Sequence, residues 1–315
     1  MDPELAAAAA LLRERGIVAA SPMTTPIAEA RASLDRISAV LAEGGLPLRR
    51  ERTLTLPGGL RARLYHPDAS AGPPPLLVYA HGGSFAVGSL DGWDHVMRDL
   101  VRLSGAAALH VDYRLMPEHR FPAAHEDMLA AFRFAAVHAA ELGIDSARLA
   151  LGGDSAGANL ALGAAVALRD ADGPRPCFLL LHYGAYDTET DSPSWQRFGQ
   201  GNAGLSVASA EWLWANYLTD TAQRRDWRAA PLLAPLHGLP SALLTIGTLD
   251  PLLDQNEKLA AKLAAAGVPC RLLRVEGLNH GFIRYGRLVT AVRHCLQESA
   301  AALVAAMVRE DVHVT

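Results

Sequence analysis

Short, unbroken apolar runs alternate along the chain with longer stretches whose apolar residues recur every three or four positions. LLVYA at 76–80, AAALHVDY at 106–113, ARLALGG at 147–153, FLLLHYG at 178–184, ALLTIG at 242–247 and CRLLRVEG at 270–277 read as strands, most of them buried on both faces. Helical spacing fills 121–143 and stops at Gly143, a residue suited to the left-handed turn that ends helices. Further helices are predicted from 156 to about 169, near 254–266 and over 286–309. Buried strands separated by helices predict an α/β fold with a mostly parallel central sheet and helices on both faces.

Before this pattern begins, RTLTL and LRARLY alternate in polarity around Pro57-Gly58-Gly59 and predict a hairpin. Residues 1–47 read as two helices broken at Ser21-Pro22 and Thr25-Pro26. One stretch departs from the rhythm. Residues 186–230 hold three turn clusters and Trp195, Trp212, Trp214 and Trp227, and an insert of that length between strands is usually functional. With no repeat or low-complexity linker, the remainder, 48–315, is read as one domain carrying this excursion.

Composition narrows the partners. A net charge of −4 and a pI near 6.3 provide no basic field for nucleic acid or an anionic membrane. No run reaches the ~18 apolar residues of a membrane span. The N-terminal alanine run carries Asp2 and Glu4 where a signal peptide has basic residues, so it reads as an amphipathic helix. Cys177, Cys270 and Cys295 are too few and scattered for a disulfide framework or a zinc site, which makes a reducing cytoplasm the expected location. No metal-binding spacing such as H-E-x-x-H occurs, and no metal is expected.

In such sheets, reactive groups gather just beyond the carboxyl ends of the strands. Gly153-Asp154-Ser155-Ala156-Gly157 lies there as a G-x-S-x-G nucleophile elbow, whose rival reading is a serine that merely caps a helix. A serine needs a base, and the base an acid that fixes its tautomer. Asp250 and His280 each follow a strand, in the order Ser, Asp, His. Asp187 and Asp254 are rivals for the acid; Asp254 is expected instead to orient the His280 loop or cap a helix. The oxyanion donors are assigned to the N–H groups of Gly82, Gly83 and Ala156, with His81 shaping its loop. Asp112, Arg114 and Asp127 are expected to form a polar network bracing the turn after 113.

HGGSF at 81–85, DYRLMPEHRFPA at 112–123, GDSAGANLA at 153–161, DPLLD at 250–254 and NHGF at 279–282 together resemble the hormone-sensitive-lipase-like bacterial esterases of the α/β-hydrolase superfamily, from about residue 75 to the C-terminus. The resemblance implies an α/β-hydrolase fold with a helical cap, built from the N-terminal helices and the 186–230 insert. It also implies hydrolysis of small carboxylic esters of short acyl chain through an acyl-enzyme, without a cofactor. Amide, formamide or lactone hydrolysis on the same residues is the alternative. A non-catalytic receptor of this fold is disfavoured by His280, which the receptors that resemble the family have lost. Ser84 replaces the third glycine of the family's usual HGGG, and Ala158 the last glycine of its usual GDSAGG. Ser84, Phe85, Tyr186, Leu205, Trp212, Trp214 and Phe282 are the expected pocket lining; Trp212 and Trp214 point to different helix faces. The expected partner is a small ester, and homodimerisation is left open.

Overall fold

The computed structural model of the protein describes residues 1–70 and 72–307. Two helices come first, α1 (Pro3–Glu14) and α2 (Ile27–Leu41). Strands β1 (Arg50–Thr55) and β2 (Arg61–His66) form the antiparallel hairpin, turning where Gly58 and Gly59 adopt φ of 79° and 83°. There follow β3 (Leu76–Ala80), α3 (Asp94–Ser104), β4 (Ala107–Asp112), α4 (Ala123–Val137), α5 (Ala139–Leu142), β5 (Leu149–Asp154), α6 (Ala156–Asp170) and β6 (Phe178–His182). The insert carries α7 (Pro193–Phe198) and α8 (Val207–Tyr217), after which come β7 (Ala242–Gly247), α9 (Leu253–Ala265), β8 (Cys270–Val275) and α10 (Thr290–Met307).

The eight strands form one sheet in the order β1-β2-β4-β3-β5-β6-β7-β8, with β4 through β8 mutually parallel. Strands β3, β5, β6 and β7 are buried along their whole length, as their unbroken apolar runs require. Helices α4, α6 and α9 cover one face and α3 and α10 the other.

Several expectations change in detail. The 121–143 helix breaks at His138 into α4 and α5, and Gly143 ends it at φ 68°. Helix α3 was not anticipated, although its buried Val96, Met97, Leu100 and Val101 recur at helical spacing. The expected end of the last helix at 309 lies outside the described residues. Arg114 grips Asp127 with its Nε at 2.9 Å and its backbone N–H at 2.8 Å, but Asp112 is not in that network; it lies 3.7 Å from Arg61 on the neighbouring strand.

Helix α2 is fastened to the loop that follows β3. Arg31 Nε donates to the Ala86 carbonyl at 2.9 Å, and Ser89 Oγ donates to Asp35 at 2.7 Å. Arg284 Nη2 reaches the same helix through Ser38 Oγ at 2.5 Å. Among the described residues, no helix is long and apolar enough to cross a membrane.

Candidate active site

At the end of β5 the chain makes a sharp turn into α6. Ser155 sits at φ 53° and ψ −117°, a conformation that costs a non-glycine residue on the order of 1–3 kcal/mol and survives only where its surroundings enforce it. Two glycines permit the crowding. A Cβ on Gly157 would come 1.9 Å from the Ala80 carbonyl oxygen, and one on Gly153 would come 2.3 Å from the Gly157 carbonyl carbon. Although Ser155 stands where a cap would, its side chain makes no capping bond to α6. Instead Ser155 Oγ lies 2.8 Å from His280 Nε2.

His280 follows β8, and its Nδ1 lies 2.8 Å from Asp250 Oδ2. Asp250 follows β7, is fully buried, and has its other oxygen fixed by the Leu252 N–H at 2.8 Å. An Nδ1–H donated to this carboxylate leaves Nε2 free to accept the serine proton. Neither rival acid touches the histidine. Asp187 accepts the Thr188 N–H at 2.8 Å and lies 3.7 Å from Lys258. Asp254 accepts the Ser194 N–H at 2.7 Å, a first-turn donor of α7, so it caps and tethers that helix of the insert rather than α9, whose N-cap is Leu252.

The loop after β3 revises one expected donor. The Gly82 N–H is donated to Asp154 Oδ1 at 3.0 Å, which turns it away from any substrate. Among the described residues, the N–H groups of Gly83, Ser84 and Ala156 have no partner. Ser84 and Phe85 hold φ of 55° and 54°. His81 shapes the loop as expected: it is buried, its Nδ1–H meets the Gly82 carbonyl at 2.7 Å, and its ring stacks on Tyr113 with centroids 4.5 Å apart. Burial pushes its pKa down to about 4, so it is neutral.

Ser155 and Ala156 open into a narrow slot with about 30 Å³ of free volume, walled by Ser84, Phe85, Leu205 and Trp214 as expected. Three expected residues lie elsewhere. Tyr186 is fully buried in the core, Phe282 is fully buried edge-on to Tyr183 at 4.8 Å, and Trp212 is half-buried against the hydrophobic core. Trp195, Leu213 and the polar residues Asp187 and Glu189 also line it. The tryptophan-rich insert was the only sequence signal for them. Among the described residues, no group of three or more His, Cys, Asp or Glu side chains is arranged to hold a metal ion.

A family model described as alpha/beta hydrolase fold matches residues 77–284. The chain is 39% identical over 236 residues to an ethyl acetate hydrolase of Pseudomonas putida, covering 73% of each protein. It is 32% identical over 267 residues to an acetyl esterase of Salmonella schwarzengrund, covering 83% of this chain and 82% of that one. Among solved structures, a hyperthermophilic esterase from Pyrobaculum calidifontis superimposes with a TM-score of 0.89 at 32% identity, over 97% of this chain and 98% of the other.

Proposed function

Because this chain belongs to the α/β-hydrolase fold family, we propose that its site hydrolyses small carboxylic esters by a serine mechanism in which Ser155, His280 and Asp250 act together. Ser155 Oγ attacks the ester carbonyl as His280 Nε2 takes its proton, and the carbonyl oxygen becomes an oxyanion. The free N–H groups of Gly83, Ser84 and Ala156 receive that charge without having to reorganise. Collapse expels the alcohol, protonated by His280, and leaves an acyl-Ser155 ester. Water, deprotonated by His280, then attacks the acyl carbon and releases the acid.

The observation that carries this reading is the unbroken relay of two 2.8 Å contacts from Ser155 through His280 to buried Asp250. A short acyl group is supported by the tightness of the slot and by relatives named for ethyl acetate and acetyl ester hydrolysis. Residues 1–47 and 186–230 are assigned to a cap over residues 48–315. The insert walls the slot, and α2 clasps its loop. Three free thiols support a cytoplasmic setting.

The test is turnover of p-nitrophenyl esters of increasing acyl length, run beside aryl amides and lactones. Acetate or butyrate should lead, and Ser155→Ala should lower kcat by on the order of 10³ or more. Preference for an amide or lactone would move the protein to a different acyl transfer on the same residues. A Ser155→Ala variant retaining a tenth of the rate would remove the nucleophile assignment.

A further inference from the structure

Asp154 precedes the nucleophile, is 2% exposed, and takes no part in the proton relay. Its carboxylate nevertheless joins the three loops that carry the reaction. Oδ1 accepts the Gly82 N–H and the Tyr79 hydroxyl, both at 3.0 Å, and Oδ2 accepts the Tyr183 hydroxyl at 3.3 Å. The Tyr183 oxygen in turn accepts the N–H of Ile283 at 3.3 Å, three residues beyond His280, and the Tyr183 ring lies edge-on to His280 at 5.0 Å. The contact with Gly82 is close: a Cβ there would fall 2.4 Å from Asp154 Oδ2.

From this geometry we propose that ionised Asp154 is a positioning residue for ester hydrolysis: by holding Gly82 it sets the direction of the Gly83 and Ser84 amides, and through Tyr183 it braces the His280 loop. The inference rests on the proposed serine chemistry. Failure of that chemistry is read separately, from Ser155→Ala.

Every partner of the carboxylate is a donor in this arrangement, so a proton on Asp154 displaces one of them and weakens the rest. The groups facing it are Tyr79 on β3, Tyr113 beyond β4, Tyr183 beyond β6, the Trp93 indole before α3 and the Arg284 guanidinium beyond β8. Arg284 is the cation among them. His81 and His182 on the same side are held neutral by burial, with pKa values pushed down to about 4 and about 3. Burial raises the Asp154 pKa to about 6, against the pull of Tyr79, Gly82, Arg284 and Trp93, so the carboxylate loses its charge as pH falls through that value.

The acid limb of log kcat against pH should therefore fall more steeply near pH 6 than a single titrating group allows, with loss of the Asp154 charge contributing about tenfold. Asp154→Asn keeps the shape and one acceptor but cannot titrate. It should lower kcat about tenfold at pH 8 with little change in KM and abolish the extra fall near pH 6. Asp154→Ala removes both acceptors and should lose on the order of 10²-fold, as when one oxyanion donor is lost. Tyr79→Phe, remote from substrate, removes one donor and should move the acid limb to higher pH; it decides the matter if the Asp154 variants do not fold. A parental acid limb in Asp154→Asn, or an unmoved limb in Tyr79→Phe, overturns the proposal.

Discussion

The two faces of the central sheet are built from the same strands yet differ in kind. Toward α4, α6 and α9 the strands present Leu76, Val78, Ala80, Leu109, Val111, Leu149, Leu151, Leu179 and Leu181, a purely apolar surface. Toward α3 and α10 the neighbouring positions carry Tyr79, His110, Asp154, His182 and Thr245, all buried. These polar side chains sit near the carboxyl ends of the strands, beneath the catalytic loops. Burying such groups costs free energy unless they are well bonded, whereas aliphatic ones favour folding by about 25 cal/mol per Å² removed from water. One face therefore stabilises the scaffold, and the other gives up part of that stability to hold the loops in place.

Asp154 makes the contrast quantitative. Its pKa is raised from 3.8 to about 6, so its contribution to stability is complete below 3.8 and is lost as pH rises through about 6. Above that pH the charge costs the fold about 3 kcal/mol. Asp154→Asn should accordingly keep or raise the thermal midpoint at pH 8 while slowing turnover, as expected of a residue kept for function.

The largest test of the contrast is Asp250→Asn, which leaves the fold intact but turns an amide N–H toward His280 Nδ1 and imposes the wrong tautomer. A loss of about 10⁴ in kcat is expected at an unchanged melting temperature. Asp254→Asn, at the tether to Ser194, should cost far less; the opposite ranking would reassign the acid. The complementary change on the apolar face is Leu151→Ala, fully buried on β5. Denaturant unfolding should show a loss of 2–5 kcal/mol, about the usual range for such a cavity, with kcat of the folded enzyme within about twofold of the parent. A large fall in kcat there would mean that the apolar face also governs the loops. The smallest effect is expected at Ser84, whose φ of 55° suits glycine better. Ser84→Gly retains the N–H and should raise turnover of longer acyl esters relative to acetate by about tenfold, the worth of roughly one methylene. An unchanged chain-length profile would place the size limit in Trp195 and Trp214.

The strands and the serine, aspartate and histidine loops were legible because each depends on local sequence: unbroken apolar runs for the strands, glycine-bounded turns just beyond them for the loops. What escaped depends on contacts between distant segments. Nothing near Gly82 reveals that its amide is claimed by a carboxylate 72 positions later, so the donor set was displaced by one residue toward the N-terminus. Tyr186 and Phe282 lie beside motif residues in sequence, yet their side chains point into the core. For Trp212 and Trp214 the two-residue separation implied different faces, but only packing shows that Trp214 is the one that reaches the slot. Helix α3 carries a local signal of the same kind, since its buried positions follow the helical period.

Helix α2 holds the Ala86 carbonyl through Arg31 and the Ser89 hydroxyl through Asp35, two and five residues beyond Ser84. A displacement of that helix by even one ångström would stretch both bonds past useful length. Helix α2 and the loop that carries the Gly83 and Ser84 amides therefore form one mechanical unit. A reactant bulky enough to push that loop toward α2 would tilt the amides away from its carbonyl. Discrimination by size then appears in the rate of acylation more than in the strength of binding, and an oversized ester would occupy the site yet turn over slowly.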